Sequence, residues 1–214
     1  MMTELQIKTA SEQTRTRLLE AAREVFSQHG FQGATVREIC RRAEANGAAV
    51  NYHFGSKDGL LAEALNFAPL KAMQNANFKA GECPRKRLRL FILDFMLMLL
   101  DEKNPSSQCQ IMARELADPT PALDKIVREA IEPMHEFLEK LVREIVGDKF
   151  SVAESRRCVH SIFGQCLFYR HSQPVLQRLH PKLRYDHKEI KAIAEHIAEF
   201  SLAGIMQLYQ RSQS

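Results

Sequence analysis

Apolar residues recur every three to four positions along most of the chain, the spacing that places them on one face of a helix. No window alternates apolar and polar residues as a half-buried strand would. After an N-terminal mobile arm at residues 1–10, the pattern predicts several short helices. Longer helices are then expected at about 85–101, 106–117, 121–146, 151–171 and 187–210. We therefore predict an all-α chain with a small N-terminal helical module and a larger C-terminal helical bundle.

Start and stop signals divide the first third of the chain into four helices. Thr35 is expected to be the N-cap of the second helix, because Glu38 follows three residues later as in a capping box. Ser56 is expected to cap the fourth helix, which we extend toward Gly81. The expected stops are Gly30 after the first helix, Asn46-Gly47 after the second and Phe54 at the end of a short third.

The second and third helices, with the tight turn between them at about residues 35–54, have the pattern of a helix-turn-helix. On the third helix, Val50 and Phe54 are four positions apart and should face the core of the module. Asn51 and Tyr52 then face away from that core. A helix exposed in this way is expected to lie in the major groove of double-stranded DNA.

The exposed face of this helix carries groups that base edges and phosphates can bind. Asn51 can pair with adenine through both amide atoms, and the alanine methyl groups can contact the thymine methyl group. Thr35, Arg37 and Lys57 lie where helix N-termini and cations would hold phosphates, with Arg41 and Arg42 nearby. The candidate DNA-binding residues are Thr35, Arg37, Asn46, Gly47, Ala48, Ala49, Asn51, Tyr52, His53 and Lys57.

Composition and charge indicate an ordinary globular protein and do not by themselves identify its partner. A net charge of +4 permits nucleic-acid binding without requiring it, and 45% hydrophobic with 26% charged residues is ordinary for a globular protein. The five cysteines are scattered and no signal-peptide pattern precedes them, so we expect reduced thiols in the cytoplasm. The most apolar run, residues 90–100, is too short to span a bilayer, so no membrane partner is expected.

The last helix has apolar residues over too wide an arc for one buried stripe. It must be covered on two sides, and a second copy of the same surface would supply one of them, because two-fold homodimers are the commonest oligomers. The alternative is a helix buried within one monomer core. The candidate dimer-interface residues are Val159, Ile162, Cys166, Ile197, Phe200, Ile205 and Leu208.

Large, partly flexible side chains lie on several C-terminal helices at once and could line a pocket for a small apolar or amphipathic effector. The alternative for each of them is ordinary core packing. Pro133 should kink its helix, either to line a cavity or without further role. The candidate pocket residues are Phe91, Phe95, Met98, Met112, Arg114, Met134, Phe137, Phe163, Gln165 and Tyr169.

Other functional interpretations have weaker support in the sequence. Cys158, His160 and Cys166 do not share one helix face, so no metal is expected, and no cofactor motif is present. The basic run at residues 85–89 is interpreted as a solvated helix face. The sequence contains neither a nucleophile-elbow motif nor a phosphate-binding loop, so it gives no support to an enzyme. The alternatives that stay open are a helical adaptor without DNA binding and an uncharacterised enzyme that uses the C-terminal cavity.

The segment "TVREICRRAEANGAAVNYHFGSKDGLL" closely resembles the DNA-binding segment of the TetR family of bacterial transcriptional regulators. The resemblance covers about residues 14–70 and rests on Thr35, Ile39, Ala43, His53, Phe54, Ser56 and Lys57. Two positions depart from the family pattern. Glu44 stands where the family usually has glycine, and Asn51 stands where it usually has a phosphate-binding tyrosine.

The C-terminal part resembles the ligand domain of the TetR branch typified by CecR (YbiH), through Arg114, Glu115, Pro119, Pro133 and His135. Together the resemblances imply a DNA-binding domain at 11–70 and an effector-binding and dimerisation domain at 71–214. They imply a homodimeric repressor, not an enzyme. It would leave a palindromic operator when a drug or toxic compound binds, and so control transporter genes.

Overall fold

The computed structural model describes residues 4–65, 82–100, 107–147 and 150–211, without the side chains of residues 4–9 and 107–109. The described residues contain helices and no strand. The helices are α1 (Glu4–Gly33), α2 (Val36–Arg42), α3 (Ala49–Phe54), α4 (Lys57–Ala64), α5 (Pro84–Leu100), α6 (Ser107–Ala117), α7 (Ala122–Ile126), α8 (Glu132–Val146), α9 (Val152–His171), α10 (Gln173–Leu179) and α11 (His187–Arg211). The all-α prediction is confirmed.

Helix boundaries agree closely with the sequence pattern, with three differences. The single helix expected at 121–146 is divided into α7, a π-helical segment and α8. Helix α1 begins at Glu4, inside the segment expected to be an arm. Helix α10 was not expected, because it is short, has Pro174 near its start and contributes no buried residue. The expected extension of the fourth helix to Gly81 and the expected domain boundary at residues 70 and 71 lie outside the described residues.

The chain forms two compact units. The first comprises residues up to 67 together with 106–129, and the second comprises 68–105 together with 130–214. Helices α6 and α7 thus belong to the same unit as the helix-turn-helix, although they follow α5 in sequence. The domain limits predicted from the sequence stay a prediction.

In the first unit, α1 packs against α2, α4 and α6. Leu18, Val25 and Phe26 on α1 are fully buried, and Ile39 and Leu60 are fully buried on the helices that α1 supports. Gly30 interrupts α1 with φ 68° and ψ −179°, a backbone conformation that a residue with a Cβ atom adopts only with strain. The expected helix stop therefore lies at the expected residue, with a short helical continuation to Gly33.

Two residues of the CecR-like pattern on α6 hold neighbouring parts of the first unit, Glu115 the corner before α7 and Arg114 the end of α1. Glu115 is 3% exposed, and its Oε1 accepts hydrogen bonds from the backbone N–H and the hydroxyl of Thr120, both at 2.7 Å. Arg114 donates from Nη2 to the carbonyl oxygen of Gln28 at 3.2 Å. This carbonyl lies two residues before Gly30, so Arg114 connects α6 to the end of α1.

In the second unit, α5 packs against α8, α9 and α11. Leu88, Ile92 and Met96 are fully buried along α5, as are Leu138 and Leu141 on α8. These helices enclose the hydrophobic core of the unit.

The basic run at residues 85–89 does not form a uniformly solvated face, so that interpretation is wrong for two of its arginines. The Arg87 side chain is 12% exposed, and its Nη1 lies 2.5 Å from a carboxylate oxygen of Glu144 on α8. Arg89 pairs with Glu195 and Glu199 on α11. These side chains connect neighbouring helices, so they are already occupied within the unit.

A π-helical segment at Val127–Ile131 separates α7 from α8, and Pro133 follows two residues later. Proline lacks an N–H group and its ring clashes with the carbonyl four residues earlier, here that of Glu129. The wider π turn accommodates this clash, as expected for an irregularity caused by proline. The structure thus has a π segment just before Pro133, and the kink expected at Pro133 stays a prediction.

Candidate nucleic-acid interface

Helix α2 is fixed at both ends by local hydrogen bonds. The Thr35 hydroxyl accepts a hydrogen bond from the N–H of Glu38 at 3.2 Å, as the expected cap requires. At the other end, the N–H of Ala45 donates to the carbonyl of Cys40 at 2.9 Å across the left-handed residue Glu44, which has φ 49°. The turn therefore needs a left-handed residue at position 44, and a side chain other than glycine adopts that conformation at a cost of about 1 kcal/mol.

The remainder of the turn is an Asx turn. The side-chain oxygen of Asn46 accepts a hydrogen bond from the N–H of Ala48 at 3.0 Å, and the Asn46 carbonyl accepts one from Ala49 at 2.9 Å. Gly47 between them is exposed, and no atom lies within 4 Å of the position of an added Cβ. The turn thus presents backbone at its surface just before α3 begins.

Helix α3 separates its buried and exposed faces as the sequence predicted. Val50 is fully buried and Phe54 is 8% exposed, whereas Asn51 is exposed and Tyr52 is 80% exposed. His53 is half-buried at the side of this face, with its ring edge-on to that of Tyr52 at a centroid distance of 4.8 Å. Ala48 is exposed and Ala49 half-buried, so the candidate base-contacting residues lie together on one side of the helix.

The cations around this face differ in whether they already have a partner. Arg41 donates two hydrogen bonds of 2.8 Å to the Glu38 carboxylate, and Arg42 donates one of 2.7 Å. These hydrogen bonds lower the pKa of Glu38 from 4.5 to about 2. Arg37 is exposed, and within residues 10–65 no hydrogen bond or ion pair is found for its side chain. Of the arginines on α2, Arg37 is therefore the one most available to a phosphate.

Lys57 begins α4 and lies half-buried against an aromatic ring. Its Nζ is 4.2 Å from the ring centroid of Phe31, and burial lowers its pKa. Ser56 caps the same helix by accepting a hydrogen bond from the N–H of Gly59 at 3.0 Å. Lys57 must leave the Phe31 ring, or share it, if it is to contact a phosphate.

Gly59 is a residue that the sequence interpretation missed. A Cβ at this position would lie 2.2 Å from the carbonyl oxygen of Phe54, a distance that real Cβ atoms do not adopt. Glycine thus allows α4 to begin directly against the end of α3. The signal was present in the sequence as a glycine inside an otherwise helical pattern, which usually has a packing reason.

In the second unit, four phenylalanines form an aromatic cluster: Phe91, Phe95, Phe137 and Phe163. Their ring centroids are 5.5–6.4 Å apart, the distances of edge-to-face and offset pairs. Met134 is buried and lies on α8, the helix that also carries Phe137. Met98 is half-buried on α5. The structure brings these candidate pocket residues together as packed side chains.

Four other pocket candidates lie elsewhere. Met112 and Arg114 belong to the first unit, on α6. Gln165 donates a hydrogen bond to the Ser201 hydroxyl at 3.1 Å, in the groove between α9 and α11. Tyr169 is half-buried on α9. The predicted set therefore does not surround a single site.

A groove of about 560 Å³ runs between α9 and α11, the helices that carry the candidate dimer interface. Ile162 and Ile205 lie at its base, and Phe200 and Leu208 are 65% and 49% exposed along it. Val159, Cys166 and Ile197 are at most 1% exposed and pack within their own unit. Of the predicted interface residues, Phe200 and Leu208 are the ones that offer apolar surface outside the unit.

His135, one of the residues of the CecR-like pattern, contacts another histidine on the neighbouring helix. Its ring centroid is 5.2 Å from that of His160, and burial together with the charge of His160 lowers the pKa of His135. Its Nδ1 lies 3.7 Å from Glu139. Within the part of the chain that the structure describes, no group of histidines, cysteines and carboxylates has the geometry of a metal site.

Two family models match the chain. "Bacterial regulatory proteins, tetR family" matches residues 18–64, the helices that carry the interface described above, and "HTH-type transcriptional dual regulator CecR, C-terminal domain" matches residues 84–205. The chain belongs to the TetR family of bacterial transcriptional regulators, with a CecR-type C-terminal domain. The family resemblance inferred from the sequence is confirmed in both parts.

Similar proteins agree with this assignment. The dual regulator CecR of Shigella flexneri is 28% identical over 171 residues, which cover 74% of this chain and 76% of CecR. A transcriptional regulator from Pseudomonas aeruginosa PAO1 superposes with a TM-score of 0.69 at 21% identity, covering 92% of this chain and 94% of that one. FadR from Bacillus subtilis, in a complex with stearoyl-CoA, superposes with a TM-score of 0.68 at 16% identity, covering 89% and 98%.

The family assignment establishes the class of function. The protein is a DNA-binding transcriptional regulator, and its family and homologues are regulators, not enzymes. The alternative of an uncharacterised enzyme is thereby removed. None of the helices in the described ranges is long and apolar enough to cross a bilayer.

Proposed function

We propose that the protein is a homodimeric repressor that binds a palindromic operator and is released from it by a small apolar or amphipathic effector. The observation that carries the DNA-binding part is the division of α3. Val50 and Phe54 hold the helix to its module, while Asn51 and Tyr52 project from it without burial. An exposed helix of this kind fits the major groove.

On this face we assign base contacts to Asn51 and phosphate contacts to Arg37 and Lys57. An exposed asparagine amide can both donate to and accept from adenine, whereas arginine and lysine bind phosphates without reading sequence. The assignment is supported by the exposure of Asn51 and by the absence of a partner for the Arg37 side chain among the described residues. Thr35, Asn46, Gly47, Ala48, Ala49, Tyr52 and His53 complete the proposed contact surface.

A second copy of the chain is the proposed occupant of the groove between α9 and α11. TetR-family regulators act as dimers, and the exposed Phe200 and Leu208 give the groove the apolar edge that a self-complementary interface requires. A two-fold dimer presents its two α3 helices to two half-sites, and the operator should therefore be palindromic.

The effector is assigned to the second unit, beside the aromatic cluster. Phe91, Phe95, Phe137 and Phe163 supply the apolar surface, and Met134 and Met98 supply side chains that can adapt to a ligand. The stearoyl-CoA complex of FadR supports an amphipathic effector class. Within that class we propose a drug or toxic compound as the effector and transporter genes as the targets. Release from the operator requires that the effector bind more tightly to a state that does not fit the operator.

Selection of binding sites from randomised duplexes tests the proposal. The wild-type protein is expected to select a palindrome, and Asn51→Ala should lose about 1–3 kcal/mol at one base position in each half-site. Gln13→Ala, which removes an exposed amide on α1, is the control and should select the wild-type palindrome. An unchanged base preference for Asn51→Ala would contradict the base contact. No affinity for any duplex at low salt would favour a helical adaptor.

A further inference from the structure

A cavity of about 240 Å³ lies within the first unit, between the end of α1, α4 and α6. Its apolar wall includes Phe26, Phe31 and Leu61, and its polar wall includes Arg114, Glu115 and Asp118 on α6. Pockets for drug-sized ligands are typically about 300–1,000 Å³, so this cavity suits a smaller molecule. With His29, which also lines the cavity, the lining offers one guanidinium, two carboxylates, one imidazole and two phenyl rings.

Neither Arg114 nor Asp118 is neutralised by the other. They are four residues apart on α6 and could pair along the helix, yet no ion pair joins them in the described part of the chain. The Gln28 carbonyl, 3.2 Å from Nη2, is the protein acceptor found for Arg114 within the described ranges, and the other N–H groups of the guanidinium have none. Both charges are therefore free to bind a ligand.

Glu115 gives the polar wall a rigid part. The side chain is 3% exposed, and both hydrogen bonds from Thr120 reach the same carboxylate oxygen, Oε1. The carboxylate is thus held in one orientation while it lines the cavity. Among the residues that the structure describes, no cation forms an ion pair with Glu115, and a buried carboxylate in that situation favours a ligand that brings a positive charge.

The cavity also depends on Gly30. A Cβ at this position would lie 3.3 Å from Nη1 of Arg114, tighter than ordinary van der Waals contact. The guanidinium can therefore lie directly over the backbone of α1, facing the cavity.

We propose that this cavity binds a free α-amino acid with an apolar side chain. The carboxylate of the ligand pairs with Arg114, its ammonium group with Asp118 and Glu115, and its side chain packs against Phe26, Phe31 and Leu61. Arg114 and Asp118 are exposed and Glu115 is buried. A simple carboxylate would pair with Arg114 alone and a simple amine with the acidic groups alone, whereas an amino acid pairs with both. The site lies in the DNA-binding unit and is separate from the effector site proposed for the second unit.

Such a ligand would touch a ring that already carries a DNA-contacting candidate. Phe31 stacks on Phe26 with centroids 6.1 Å apart, and Lys57 rests on Phe31 at 4.2 Å. An amino acid packed on Phe31 is thus one side chain away from Lys57.

Calorimetric titration of the full-length protein with L-phenylalanine tests the proposal. A ligand of this size in such a site is expected to bind with a Kd of about 0.1–1 mM. The same titrations with 3-phenylpropionate, which lacks the ammonium group, and 2-phenylethylamine, which lacks the carboxylate, should give affinities at least roughly tenfold weaker. Absence of saturable binding of L-phenylalanine up to about 10 mM, or equal binding of either analogue, would overturn the proposal.

Two variants locate the binding within the cavity. Arg114→Gln keeps a donor for the Gln28 carbonyl, and both Arg114→Gln and Asp118→Asn should weaken L-phenylalanine binding roughly tenfold. The matched controls are Arg128→Gln and Asp124→Asn, exposed charges of the same unit outside the cavity, which should bind as the wild type does. Unfolding midpoints equal to that of the wild type show that the variants are folded. Wild-type affinity in Arg114→Gln would place the ligand elsewhere and overturn the site.

Discussion

The exposed face of α3 and the aromatic cluster of the second unit both attract a functional interpretation from sequence, but they differ in what their side chains contact. Tyr52 is 80% exposed and Asn51 is exposed, so this face is ready to meet another molecule. Phe91 is 1% exposed and contacts three other rings of the cluster. A ligand can bind the first surface as it stands, whereas it must displace packed rings to enter the second.

Residue type alone does not distinguish a binding surface from a core. On α3, two apolar residues four positions apart determine which side is buried, and the exposed side follows from helix geometry. In the cluster, the rings come from α5, α8 and α9, and their neighbours depend on how three helices pack. In the first region, local helix geometry determines which side chains are exposed. In the second region, the packing of three helices determines it.

Truncation of one aromatic residue in each region should affect stability to very different extents. Phe91→Ala should lower the free energy of unfolding by about 3–5 kcal/mol, because it removes a ring from a packed cluster and leaves a cavity. Tyr52→Ala, the matched control, should change it by less than about 0.5 kcal/mol. Urea denaturation at equal protomer concentration measures both values. A cost below about 1 kcal/mol for Phe91→Ala would show that its ring faces open space and not packed neighbours.

The helix-turn-helix was predictable almost residue by residue because its signals are local. Thr35 and Ser56 cap the helices that the sequence assigned to them, and Asn46-Gly47 lies in the turn. The capping box was predicted in full, but only the hydroxyl half is present, because the Glu38 carboxylate binds Arg41 and Arg42 instead. The spacing of residues along a helix does not show which of several neighbouring partners a side chain will bind.

Other features of the molecule depend on long-range packing and were not predictable. Arg87 lies in a basic run that resembles a solvated face, and only the packing of α5 on α8 brings Glu144 to it. Helix α10 contributes no buried residue, so its sequence shows no apolar stripe from which a helix could be predicted. The grouping of α6 with the DNA-binding helices likewise depends on contacts between residues more than eighty positions apart, such as Arg114 and Gln28.

The two exposed arginines of α2 allow a sharper test of the α3 surface. Arg37→Ala should weaken binding to all duplexes alike and reduce the slope of log affinity against log salt by about 0.9, the value for one lost phosphate contact. Arg41→Ala should reduce the slope less, because the Glu38 carboxylate already holds Arg41. Fluorescence anisotropy of a labelled duplex across a salt series measures both slopes. Equal slopes for the two variants would contradict the distinction between a free and a paired cation.

The turn before α3 contains a residue whose replacement should increase stability. Glu44 has φ 49°, so Glu44→Gly should raise the free energy of unfolding by about 0.5–1 kcal/mol through relief of left-handed strain. The loss of the exposed contact between Glu44 and Arg17, at 3.9 Å, should offset little of this gain. Glu44→Ala is the control, because it removes the charge and keeps the strain. A gain in Glu44→Ala equal to that in Glu44→Gly would attribute the effect to charge and not to the backbone.

The smallest expected effect concerns the ion cluster that occupies Arg41 and Arg42. The pKa of Glu38 is lowered from 4.5 to about 2, so its carboxylate contributes stability that is fully present above pH 4.5 and is lost as the pH falls through about 2. Glu38→Gln lacks this contribution, and the stability difference between wild type and variant should shrink across that window. Thermal unfolding in low salt at a series of pH values measures the difference. In the background of Arg41→Ala with Arg42→Ala, the pH dependence of the Glu38→Gln effect should disappear, because the two arginines are the source of the lowered pKa; its persistence there would assign the shift to another group.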